Sequence, residues 1–212
     1  MKTLNNLTLA LLLTASFAQA DTLLPAKKHK CCVEAEAAVQ PLSDKSIYQS
    51  DSEWTTDTGK VEKLQVLGGR PQVVVMFFAS CEYACPVLVH DLKKIEAELP
   101  ENLRGKVGFT LVSFDSERDT VAALAGFRKQ HELDPKDWTL LRGKSDDVLE
   151  LSALLGVKFK KDARGQFAHS NLITVLNAKG EIVKQISGLQ QDPALAIEAL
   201  KKLFPEATVA GF

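Results

Sequence analysis

Two cysteines in a short loop carry the clearest chemistry in this chain. Cys81 and Cys85 stand four residues apart in Ser80-Cys81-Glu82-Tyr83-Ala84-Cys85-Pro86, directly after the apolar run Val73 to Phe78. If a helix begins inside this loop, the two sulfurs lie one turn apart on the same side. A helix start offers unpaired N–H groups and a partial positive charge, which favour thiolate over thiol. Thiolate is both a nucleophile and a metal ligand, so three chemistries are open. A structural disulfide across so short a loop gains little. A redox dithiol more usually has two intervening residues. A metal site needs a third ligand, and soft sulfur favours Cu(I). On the residues alone, the metal and redox readings both stand.

The remaining candidates are scattered. His169 lies just before a predicted strand; a lone histidine is ordinarily a surface or core residue unless the fold sets it opposite the sulfurs. Asp115 ends another predicted strand near the expected site, where it would orient a ligand or close a turn. Arg118 and Asp119 read as a local ion pair, and His90 and His131 as ordinary helix residues. Near the N-terminus, His29, Cys31 and Cys32 could hold a second soft metal or reach the main site. Adjacent cysteines seldom bond to each other, because the geometry is strained. Lys27, Lys28 and Lys30 are most simply a solvated run.

The elements that must position these residues follow from periodicity. Gly68-Gly69-Arg70-Pro71 is a turn that launches Val73–Phe78, a continuous apolar run suited to a strand covered on both faces. Leu88, Leu92, Ile95 and Leu99 mark one face of a helix over 87–99. A second buried strand spans 107–114, a helix 121–131, a short strand 138–141 and a helix 146–155 capped by Ser145 or Asp146. Residues 156–170 form a charged excursion with a hairpin around Ala163-Arg164-Gly165. Strands 172–176 and 182–187 are joined by the hairpin turn Asn177-Ala178-Lys179-Gly180, and a helix over 193–204 opens on Pro193. The order predicts an α/β sandwich with a mixed central sheet flanked by helices. A strand feeding a cysteine motif at a helix start, with a hairpin and helix at the C-terminus, resembles the thioredoxin plan. The loop before the last hairpin faces the cysteines in that plan, which makes His169 the candidate third ligand.

Three stretches resemble the SCO/SenC copper-chaperone family over roughly residues 48 to 205. Phe77 to Pro86 is similar to its C-x-x-x-C-P motif after an apolar strand. Ser113-Phe114-Asp115-Ser116-Glu117-Arg118-Asp119-Thr120 resembles its D-P-x-R-D-T loop. Ala168-His169-Ser170, followed by an apolar strand and a turn with Gly180, is similar to its H-S element. The resemblance implies one copper ion, Cu(I) or Cu(II), held by Cys81, Cys85 and His169. It also implies delivery to, or assembly of, the copper centre of cytochrome c oxidase, with its copper-binding subunit or another copper protein as partner. The alternative is a periplasmic thiol–disulfide oxidoreductase, with Cys81 and Cys85 as the redox pair, that reduces copper-ligand cysteines of a partner. Departures are Glu82, Ala79 and Ser116, where the family often has Pro, Thr and Pro; Glu82 sets a negative charge beside the sulfurs.

Bulk properties fit a soluble, exported protein. The 212 residues suffice for one ordinary domain with extra segments. The net charge of -1 leaves no basic excess for nucleic acid. Residues 1–20, with Lys2, the apolar run Leu7–Phe17 and Ala18-Gln19-Ala20, read as a cleaved signal peptide, an uncleaved anchor being the lesser alternative. Residues 21–47 read as a flexible tether carrying Cys31 and Cys32, and 48–212 as the copper-binding domain. A periplasmic or otherwise exported location follows from the leader, with no stable membrane insertion after cleavage.

Overall fold

The computed structural model describes residues 41–163 and 165–204. The predicted leader, His29, Cys31 and Cys32 lie outside the described residues, as does Arg164 in the predicted hairpin turn.

At the centre are three parallel strands, β3 (Gln72–Phe77), β4 (Gly108–Ser113) and β5 (Trp138–Gly143). All six residues of β3 and of β4 are buried, as their unbroken apolar runs require of strands covered on both faces. The helices α1 (Ala84–Glu98) and α2 (Val121–Gln130) connect β3 to β4 and β4 to β5. Helix α3 (Ser145–Leu155) follows β5 and ends on Gly156 in a left-handed conformation. The predicted hairpin forms β8 (Leu172–Leu176) and β9 (Ile182–Ser187), with β8 antiparallel to β3. The closing helix α4 (Ala194–Lys201) packs on α1, β8 and β9. The thioredoxin-like sandwich with a mixed sheet is therefore present.

Two strands went unpredicted. β1 (Glu53–Thr56) and β2 (Val61–Lys63) extend the sheet to the order β2-β1-β5-β4-β3-β8-β9. They are short and polar, with no alternation for sequence to reveal. Trp54 anchors β1, fully buried against Gly143, where any Cβ would fall within 3 Å of the indole. A buried ion pair between Arg128 of α2 and Asp57, with Nη2 donating to Oδ1 at 2.9 Å, fixes the turn after β1.

The residues just before the predicted domain start are bound to the hairpin turn. Ile47 N–H donates to Gly180 O at 3.0 Å, Ser46 bridges Glu181, and the Ser43 hydroxyl donates to the Glu181 carboxylate. The Tyr48 ring lies against Gly180, whose φ of +80° and lack of a Cβ permit the contact.

A second, separate sheet holds the site's third residue. β6 (Phe159–Lys161) and β7 (Phe167–His169) form a two-stranded hairpin with Phe159 opposite His169 and Lys161 opposite Phe167. His169 closes β7 itself, whereas the sequence reading put it in the loop beyond the hairpin. The reason is strand alternation: Phe167 and His169 share one face and turn it toward the aromatic core.

Candidate metal centre

β3 delivers the chain to the loop 78–83 at its C-terminal end, and there Cys81 N–H donates to Phe78 O at 3.2 Å. Helix α1 has no side-chain cap from Tyr83 at its N-terminus. Instead Cys85 N–H donates to Cys81 Sγ at 3.3 Å. The four-residue spacing thus lets the first sulfur satisfy an orphan amide of the first turn while the second points inward from that turn. Cys85 is fully buried and Cys81 half-buried. Pro86 follows in the first turn, where its missing N–H costs nothing.

His169 arrives from the other side. Its Nδ1–H donates to Ser170 O at 3.1 Å, in the tautomer that leaves the Nε2 lone pair free. Nε2 lies 3.9 Å from Cys85 Sγ. The donor atoms of Cys81, Cys85 and His169 all fall within 4.8 Å of one another. For comparison, metal–sulfur and metal–nitrogen bonds of about 2.3 and 2.1 Å place two donors about 3.6–3.8 Å apart. The residues fit a single soft ion, with the widest pair drawing in. His90 on α1 and His131 at the end of α2 lie outside the group.

Aromatic rings bed the imidazole. The Phe114 and Phe78 ring centroids lie 5.0 and 6.1 Å from that of His169. Phe159 stacks on Phe114 at 5.2 Å, and Phe167 packs on both Phe78 and Phe114. Cys81, Tyr83, Phe167 and His169 face a cleft of about 550 Å3, from whose rim Tyr83 projects, 83% exposed. Sequence reasoning missed this bed; the alternation of Phe167 with His169 was the available signal.

Burial pushes the Cys85 thiol well above its ordinary value, with Cys81 and Asp119 adding to the rise. The sequence expectation of a thiolate favoured by the helix start is overturned here, because desolvation of a buried sulfur outweighs the helix end. Glu82, exposed on the loop, is not the charge responsible.

The acidic loop between β4 and α2 is wired differently from its sequence reading. Arg118 pairs with Asp115, not with Asp119: its backbone N–H donates to Asp115 Oδ1 at 3.2 Å and its Nε to Oδ2. Asp119 turns inward and accepts from Ala79 N–H at 2.9 Å and from Ser113 Oγ at 2.5 Å. It thereby fastens the cysteine loop, and burial pushes its carboxyl up. Asp115 is buried and spent on Arg118, so it meets the candidate ligands only through other residues.

Comparison with known proteins agrees on family and fold. The family model described as SCO1/SenC matches residues 40–204. The SCO1 protein homolog of Bacillus subtilis is 26% identical over 139 residues, covering 64% of this chain and 71% of that protein. The crystal structure of Arabidopsis thaliana ScoI with copper bound superposes with a TM-score of 0.62 at 22% identity, over 72% of this chain and 95% of that one. BsSco, described as a member of the Sco family of cytochrome c oxidase assembly proteins with a disulfide switch, superposes with a TM-score of 0.63 at 21% identity, over 71% and 90%. Among the described residues no helix is long and apolar enough to cross a membrane.

Proposed function

The chain belongs to the SCO1/SenC family, and from that premise we propose that it binds one copper ion through Cys81, Cys85 and His169 and delivers it, outside the cytoplasm, to the copper centre of a respiratory cytochrome c oxidase. The observation that carries this reading is the convergence of two sulfurs and an imidazole nitrogen within 4.8 Å. Two soft donors and one borderline donor suit Cu(I), and an added ligand from the open cleft would suit Cu(II). Copper is the cargo, and the two cysteines hold it unequally. Cys81 faces the cleft, so an incoming donor from the recipient reaches the ion beside this sulfur first. Cys85 is sealed beneath and releases last. The leader at residues 1–20 supports an exported location.

The test is anaerobic reconstitution with Cu(I), followed by X-ray absorption and affinity measurement in wild type and His169→Ala. One copper per chain with two sulfurs and one nitrogen is expected, together with loss of tight binding in the variant. Wild-type affinity in His169→Ala defeats the three-ligand site.

The unequal exposure of the cysteines also suits a second reading, thiol–disulfide exchange with a partner's copper-ligand cysteines. Cys81 sulfur attacks the partner's disulfide and one partner thiolate leaves. Cys85 sulfur then attacks Cys81 in the mixed disulfide and frees the other. The partner gains two electrons as Cys81 and Cys85 become a disulfide. This route needs no imidazole, so His169→Ala should retain it; metal-free protein that fails to reduce a disulfide substrate counts against it.

A further inference from the structure

We propose that Arg118 is the positioning residue for His169, and that the single loop 115–119 sets the gap between the sulfurs and the imidazole; the inference rests on the copper-binding reading above. The hairpin β6–β7 shares no ladder with the main sheet, so beyond its two-residue link to β8 its place rests on side chains. Arg118 makes the central link. Its Nε is held by the buried Asp115 carboxylate, its Nη2 donates to Gly165 O in the hairpin turn, and its guanidinium carbon lies 5.8 Å from the centroid of the Phe167 ring. Phe167 is two residues before His169 on the same face of β7, and its ring rests on Phe78 and Phe114. A guanidinium donates to a carboxylate and a carbonyl from the edge of its plane while its face meets a ring, a span that the single nitrogen of an ammonium does not reproduce.

The next residue holds the other side. Asp119 accepts from Ala79 N–H two residues before Cys81. Neighbouring residues of one loop therefore grip the histidine hairpin and the cysteine loop. The loop itself is fastened from β5, where Arg142 Nε donates to Asp119 O at 2.7 Å and Nη2 to Ser116 O at 2.9 Å. Lys161 and Glu117, 2.6 Å apart but exposed, add a weaker latch.

The experiment compares the full chain with Arg118→Lys and with the double variant Asp115→Asn/Arg118→Gln, which avoids stranding a buried carboxylate. Copper-free protein is followed by amide exchange and by the nuclear Overhauser contact between the His169 and Phe114 rings. In the double variant, amides of 159–169 should exchange about tenfold faster or more while β3 and β4 stay protected, and the ring contact should weaken. Cu(I) affinity should fall about 10–100-fold, with Arg118→Lys in between. Placed on a His169→Ala background, the double change should cost no further affinity, because residues acting through one another are not additive. Unchanged hairpin exchange, or an equal affinity loss without the imidazole, overturns the inference. If wild type takes up no copper, the functional reading fails, while exchange and ring contact in the metal-free protein still decide the role of Arg118.

Discussion

The sulfur side of the site grows from β3, a fully buried strand laddered on both edges, and from the first turn of a fifteen-residue helix. The imidazole side rides on two three-residue strands paired only with each other. Backbone hydrogen bonds of the main sheet thus set the cysteines, whereas rings and one guanidinium set the histidine. Ladders open with the whole domain and side-chain contacts open locally. The thiols should keep their places under conditions that already release the imidazole.

Phe114 belongs to both regions, packing in the core and touching Phe159, Phe167 and His169. Phe114→Ala should cost about 3–5 kcal/mol and lower the melting temperature by roughly 10 °C, read by calorimetry. A near-normal melting temperature would show that the hairpin bed contributes little to the core. Next in size, Cys85→Ser should weaken Cu(I) binding more than His169→Ala does, the sulfur variant losing more than the about 100-fold that an outer contact can cost, since a soft thiolate suits Cu(I) better than a borderline imidazole. Competition titration ranks them, and the reverse order would break the contrast between a fixed and an adjustable side. Smaller still, Phe159→Leu should raise amide exchange over 159–169 while costing less than about 1.5 kcal/mol of global stability, because Phe159 is only partly buried. A global loss equal to that of Phe114→Ala would merge the two regions into one.

The smallest effect lies in the main body. Burial, helped by nearby Lys93, holds the His131 imidazole below its ordinary value, with its ring 4.2 Å from Phe127. The native state therefore refuses a proton that the unfolded chain accepts near pH 6.5. The resulting stability is present above that pH and is lost as pH falls through the depressed native value. Urea midpoints at pH 7.5 and 5.5 should differ less in His131→Gln than in wild type; an unchanged difference assigns the slope elsewhere.

Apolar runs disclosed β3 and β4 because burial on both faces leaves an unbroken pattern, a one-sided apolar face disclosed α1, and the turn residues Asn177 to Gly180 disclosed the closing hairpin, whose β9 is largely exposed. Glu53-Trp54-Thr55-Thr56 has no such pattern, and β1 exists only because β5 offers an edge and Gly143 leaves room for Trp54. Cys81, Cys85 and His169 were legible from residue type and family likeness. The partner of Arg118 was not, since Asp115 and Asp119 are equally charged and only the turn of the chain chooses between them. Nor was the state of the Cys85 thiol, which depends on how deeply the sulfur is buried.

Ser43 to Ile47 clasp the turn at residues 177–180, and β8 runs from beside His169 to that turn, antiparallel to the strand that leads to Cys81. The chain accordingly enters the domain at the pole opposite the sulfurs, a sheet length of about 20 Å away for six residues. Residues 43–47 therefore cover none of the cleft beside Cys81, Tyr83 and His169.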